Sequence, residues 1–127
     1  LVSLTLMVTV FLLGTISSTS RLWAYWIVAK SNDIEKATII APFDTRLLFI
    51  RSLGELRRKK DCKLVIKTLE RALEIQPNYW DAQNNLAICY AAEGRLEDAK
   101  EKWEGILKEW PFYDAARENL KGIAGRD

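Results

Sequence analysis

The sequence predicts an all-α protein, in which a hydrophobic N-terminal helix is followed by a short superhelix of paired helices. Three observations predict it. The first 20 of the 127 residues carry no charge. Prolines stand at 42, 77 and 111, at spacings of 35 and 34. Each proline follows an apolar stretch of helical period and precedes a new helix start, and a repeat of about 34 residues with that punctuation means stacked helix pairs.

Composition narrows the function classes. The length fits one small domain. There is no histidine, which removes His-based acid/base chemistry, His-containing metal sites and haem attachment. The remaining candidate groups (Asp, Glu, Lys, Tyr) form no catalytic constellation, so the chain reads as non-enzymatic, with no cofactor and no metal. A net charge of +2 gives no reason to expect nucleic acid. Two cysteines do not make a disulfide framework. Cys89 falls on an apolar helix side as a small buried hydrophobe, and Cys62, between Asp61 and Lys63 near a helix start, is a candidate for a mildly activated thiol.

Residues 1–29 form the first element. "LVSLTLMVTVFLLGTISSTS" is long enough as a helix, at roughly 30 Å, to match a hydrocarbon core. Arg21, Trp23, Tyr25 and Trp26 follow it like an interfacial belt. The expectation is a single-pass anchor surrounded by lipid, or else the core helix of a homopolymeric extracellular filament. A signal peptide is the competing reading, but a basic n-region and a clean small-x-small cleavage site are missing. Arg21, Lys30 and the run Arg57, Arg58, Lys59, Lys60 lie on one side of the span, which places the repeats in the cytoplasm by the positive-inside tendency.

Residues 30–42 ("EKATIIAP" at the end) give half a repeat. Residues 43–77 run from "FDTRLL" to "LERALEIQP", residues 78–111 from "NYWDAQ" to "WEGILKEWP", and residues 112–127 hold a lone capping helix and tail. Leu48, Phe49, Ser52, Leu53 and Leu56 recur at helical spacing. Asp61 and Asp114 can cap helix starts, and each proline stops the helix before it. Ala87 and Ala99 allow close helix approach beside Trp103. Glu97, Asp98, Lys100, Glu101 and Lys102 form a solvated outer face.

These residues resemble the tetratricopeptide repeat family over residues 31–124. With Trp80 as the first position, Leu86, Ala87, Tyr90, Gly94, Ala99, Trp103 and Pro111 fill the family's expected places, and Ile106 replaces a usual Ala. In the preceding repeat Leu53, Leu56, Leu69, Ala72 and Pro77 fit, while Lys60 replaces the turn Gly and Ser52 a Leu. Ile34, Ala37 and Pro42 resemble a second helix. The resemblance implies a protein–protein contact module whose concave face is Leu47, Ile50, Arg51, Asp81, Asn84, Asn85, Ile88, Ala115 and Glu118. Of the Lys/Asn/Arg set that clamps a peptide carboxylate in some members, only Asn85 is matched, and Ile50 and Gly54 stand where Lys and Asn are needed. No carboxylate clamp is expected. The apolar stripe Leu47, Ile50, Ile88 points to a helix or hydrophobic segment as partner.

Repeat stacks cannot bury their terminal faces alone. Ile34 and Ile39 at one end, and Leu120 and Ile123 at the other, are therefore expected to mediate self-association, as a homo-oligomer or open filament. Two further resemblances bear on context. "LMVTVFLLG" (residues 6–14) is similar to the type IV pilin helix, with Thr5 where that family has Glu. "DIEKATIIAPFDTRLL" (residues 33–48) resembles the repeat-bearing C-terminal tail of O-antigen ligase-type membrane proteins, which would make the chain a detached tail without catalytic loops.

Overall fold

The computed structural model describes residues 4–31, 33–59 and 62–124, with side chains from residue 18 onward except at 58 and 59. The described residues form seven α-helices and no strand: α1 Leu4–Ser31, α2 Ile34–Ile40, α3 Thr45–Lys59, α4 Cys62–Ile75, α5 Trp80–Ala92, α6 Leu96–Glu109 and α7 Asp114–Ile123. Each helix packs on the next in sequence, and α5 also touches α7. That is the connectivity of stacked helix pairs, and in the last two pairs the first helices, α5 and α7, adjoin.

The punctuation works as the sequence implied. Helices α2, α4 and α6 end at Ile40, Ile75 and Glu109, each two residues before a proline. A proline has no N–H to give and disfavours helical backbone in the residue before it. Gly94 has φ 80° in the turn between α5 and α6. There the Arg95 N–H reaches back to the Tyr90 carbonyl at 2.9 Å, a helix end that a residue with a Cβ adopts only under strain.

Helix starts differ from expectation. Tyr113 occupies the cap of α7 without a side-chain bond, and Asp114, the expected cap, instead accepts from Arg117. Its place as the first helical residue turns its carboxylate along the helix surface rather than back over the end. Asp61 and Lys60 lie outside the described residues. The working caps are Asp33 and Asp44. Asp33 accepts from the Lys36 N–H at 2.9 Å, and Asp44 from the Arg46 and Leu47 N–H groups at 3.1 Å each.

Two cores result. The larger joins α4 to α7 through Val65, Leu69, Leu86, Ala87, Tyr90, Ala99, Trp103 and Ile106, with Phe49 and Leu56 of α3 against it. Trp103 is 2% exposed and shares this cluster with Ala87 and Tyr90. The smaller consists of Ala24, Ala37, Ala41 and Leu47. The second helix of the half repeat is therefore not alone, because the last turns of α1 pack on it.

The expected N-terminal span finds no support in the described residues. Among the described residues, no helix is long and apolar enough to cross a membrane. Helix α1 is continuous, but its C-terminal half passes through Ser18, Thr19, Ser20, Arg21 and Lys30, which break the apolar run. The side chains of residues 1–17, on which the span expectation and the pilin resemblance rest, lie outside the described residues. Of the expected belt, Trp23 and Trp26 are exposed and touch edge to face at 5.4 Å. Tyr25 is half-buried and its hydroxyl donates to Asp44.

Candidate functional site

The expected concave residues divide into two groups. Leu47 is fully buried and Asn84 is 7% exposed, so neither presents surface to a partner. Leu47 belongs to the smaller core, because the cap at Asp44 turns it inward at the start of α3. The Asn84 Oδ1 accepts from Trp103 Nε1 at 2.9 Å and from Asn119 Nδ2 at 3.0 Å, which ties α5, α6 and α7 together. A polar side chain in a helix-pair core requires such partners, and this one has them.

The second group is accessible. Ile50 on α3 and Ile88 on α5 are 38% and 37% exposed. Asn85 and Arg51 are half-buried, and Asp81 and Glu118 are exposed. Three of these carry fixed partners. Asp81 accepts from the Tyr113 hydroxyl at 2.7 Å, and Glu118 pairs with Lys121 at 2.9 Å. Arg51 bonds the buried Glu55 at 2.8 Å and Thr38 at 3.3 Å, while Glu55 also accepts from Thr68, so this arginine links α2, α3 and α4.

Ile50 also borders a cleft of about 630 Å³, walled by Val28 of α1, Ile34 and Glu35 of α2, and Gly54 and Arg57 of α3. Gly54 lies in the interior of α3, where glycine costs roughly 0.5–1 kcal/mol of helix stability relative to alanine. No atom stands within 4 Å of where its Cβ would be, so packing does not demand glycine there. Gly105 of α6 is equally free of close neighbours but sits on exposed helix surface. At Gly54 the missing side chain deepens a cleft. In repeat register Ile88 is the equivalent of Gly54, 34 residues on.

The expected assembly residues lie apart. Ile34 is half-buried in the cleft wall and Ile39 is 76% exposed. Leu120 and Ile123 are half-buried against the larger core and border a second cleft of about 410 Å³ with Leu96, Lys100 and Glu104.

Among the described residues, the tyrosines and the cysteine whose titration shifts are all raised. Burial, then the Asp81 partner, pushes Tyr113 up, and burial with Glu70 raises Tyr90. Burial and the neighbouring Cys62 thiol push Cys89 up to about 12. Cys62 is 8% exposed in the same core. The side chain expected as a mildly activated thiol is therefore packed in the apolar core rather than presented at an accessible helix start. Among the described residues no cluster of three or more His, Cys, Asp or Glu side chains could hold a metal ion.

Sequence reasoning named Gly54 only as a mismatch to a carboxylate clamp. A glycine inside an amphipathic helix was the signal that could have marked the cleft. The contributions of Val28, Ile34 and Glu35 required the fold. No curated protein matches the chain. The sequence model of the tetratricopeptide repeat matches residues 68–101, from within α4 through α5 into α6, so this part of the chain carries a tetratricopeptide repeat segment, the kind of unit that makes protein–protein contacts.

Proposed function

We propose that the chain is a non-enzymatic contact module that grips an apolar segment of a partner protein. The segment lies along the accessible face of α3 and α5 and places one apolar side chain into the cleft at Gly54. The observation that carries this reading is the cleft itself. It combines apolar walls at Val28, Ile34 and Ile50 with a floor left open by a helix-interior glycine. The lining also bears both signs of charge, Asp33 and Glu35 against Arg57, which fixes the register of an incoming segment without favouring a carboxylate terminus. A helix or extended segment with a single large apolar anchor suits this shape, because most of the affinity in such contacts comes from a few buried anchors.

The test is a pair of substitutions at one position. Peptides enriched from a displayed random library on the intact chain are measured against Gly54→Ala and Gly54→Leu. Alanine adds one carbon and leaves the cleft open, whereas leucine fills it. Enriched peptides carrying an apolar anchor should bind the alanine variant nearly as well as the parent and lose about tenfold or more on the leucine variant, the worth of one blocked anchor. Equal binding to both variants, or no enrichment at all, would contradict the proposal.

A further inference from the structure

Several large apolar side chains are left bare at the other end of the inner pairs. Leu22 is 70% exposed, Trp23 60%, Trp26 55%, Ile39 76% and Phe43 75%. They come from α1, from α2 and from the turn after α2; Trp23 and Trp26 touch edge to face at 5.4 Å, and Phe43 shares a cleft with Arg21 of α1. A cleft of about 340 Å³ brings Ile40, Phe43 and Ile75 together with Ser20 and Arg21. Its single acid, Asp44, is 6% exposed and bound to Arg21 at 3.1 Å, so the site offers apolar surface beside a basic residue and no free carboxylate.

What covers this patch is indicated by the chain that enters it. Helix α1 starts at Leu4 and reaches Arg21 after seventeen residues, about 25 Å, with no charged residue on the way. Tryptophan is the side chain best suited to a boundary that is apolar on one side and wet on the other. The two tryptophans lie between Arg21 and Lys30, the arrangement of residues that settle at a lipid headgroup layer.

We infer that Leu22, Trp23, Trp26, Ile39 and Phe43 form an interfacial patch that seats this end of the molecule at a lipid bilayer surface. Seating of this kind is half-burial at the headgroup boundary and needs no membrane-crossing helix. The seat involves none of the residues of the Gly54 cleft, so that cleft stays open to a protein partner.

The apolar N-terminal segment could partition into lipid on its own, so the experiment must read the patch separately. The intact chain is mixed with phosphatidylcholine vesicles containing lipids brominated near the headgroup, which quench nearby tryptophan. Emission from the parent should be quenched. The variant Trp23→Phe/Trp26→Phe retains Trp80, Trp103 and Trp110 and should lose that quenchable component while still sedimenting with vesicles. Adding Phe43→Trp to this variant should restore quenching, although position 43 is remote from α1 in sequence. Circular dichroism and the emission of buried Trp103 report that each variant is folded. Vesicle-bound protein whose introduced tryptophan at 43 is not quenched would overturn the inference, because only the helix would then be in lipid. So would failure to bind vesicles, or protection of Trp23 and Trp26 by a second copy of the chain in lipid-free solution.

Discussion

The pair α5–α6 and the pair α1–α2 do the same geometric task by different chemistry. The first is closed by volume. Trp103, Ile106, Leu86 and Tyr90 fill the space over Ala87 and Ala99, and the one polar core group, Asn84, holds the Trp103 indole N–H. The second is closed by small residues and a polar staple. Ala24, Ala37 and Ala41 bring the helices together with little volume, and Asp44 fastens the junction by accepting from Arg21, Tyr25 and two backbone N–H groups. Stability should therefore be concentrated in the C-terminal pair and be local and detachable in the N-terminal one.

The largest expected effect breaks the first pair. Trp103→Ala removes a side chain 2% exposed and should cost about 3–5 kcal/mol, enough to unfold a domain of this size. Circular dichroism melting is the check, and an unchanged midpoint would mean that the indole does not organise the core.

High pH should weaken the same region next. The Cys89 thiol is raised from 9.0 to about 12, and the Tyr90 and Tyr113 hydroxyls are raised as well. The folded state keeps these protons after the unfolded state has lost them. Their stabilisation is thus complete below about pH 9 and falls as pH rises towards 12. Cys89→Ala should flatten the first part of that decline. Melting curves from pH 8 to 11 decide the point, and a midpoint that rises over this range has the wrong sign.

Asp44→Ala sharpens the comparison from the other side. Loss of the cap should cost about 1–2 kcal/mol. The ion pair adds little, because Arg21 is 60% exposed and solvent screens it. Hydrogen exchange should show faster opening of α2 and the last turns of α1, with α5 and α6 unchanged. Equal acceleration throughout would mean that the two pairs are one cooperative unit. The smallest effect is Gly54→Ala, a gain of roughly 0.5–1 kcal/mol from helix propensity with no clash, read as a small rise in melting temperature.

The two regions also differ in how far the sequence reveals them. The C-terminal pair follows a residue pattern in which each place has a packing reason. Leu86, Ala87, Tyr90, Gly94, Ala99 and Trp103 therefore identify the pair, its turn and its core through their resemblance to the tetratricopeptide repeat pattern. The N-terminal pair has no such pattern. Its partner helix is the end of a segment whose composition signals a membrane or filament helix, and that signal hides the packing role of Ala24 and Ile27, 0% and 7% exposed. Leu47 has the helical period of an accessible stripe, but the Asp44 cap rotates it into the smaller core. Asn84 has the polarity of a surface residue, and only the fold supplies the indole and amide that satisfy it. The cleft at Gly54 is assembled from three helices, and no single stretch of chain carries its outline.

The most direct test of the contact face is to map a library-selected peptide on the isotopically labelled chain by amide chemical shifts. The largest changes should fall on Ile50, Gly54, Asn85 and Ile88, with the outer face from Lys100 to Glu104 unmoved. Changes confined to that outer face, or to the cleft beside Leu120 and Ile123, would contradict it.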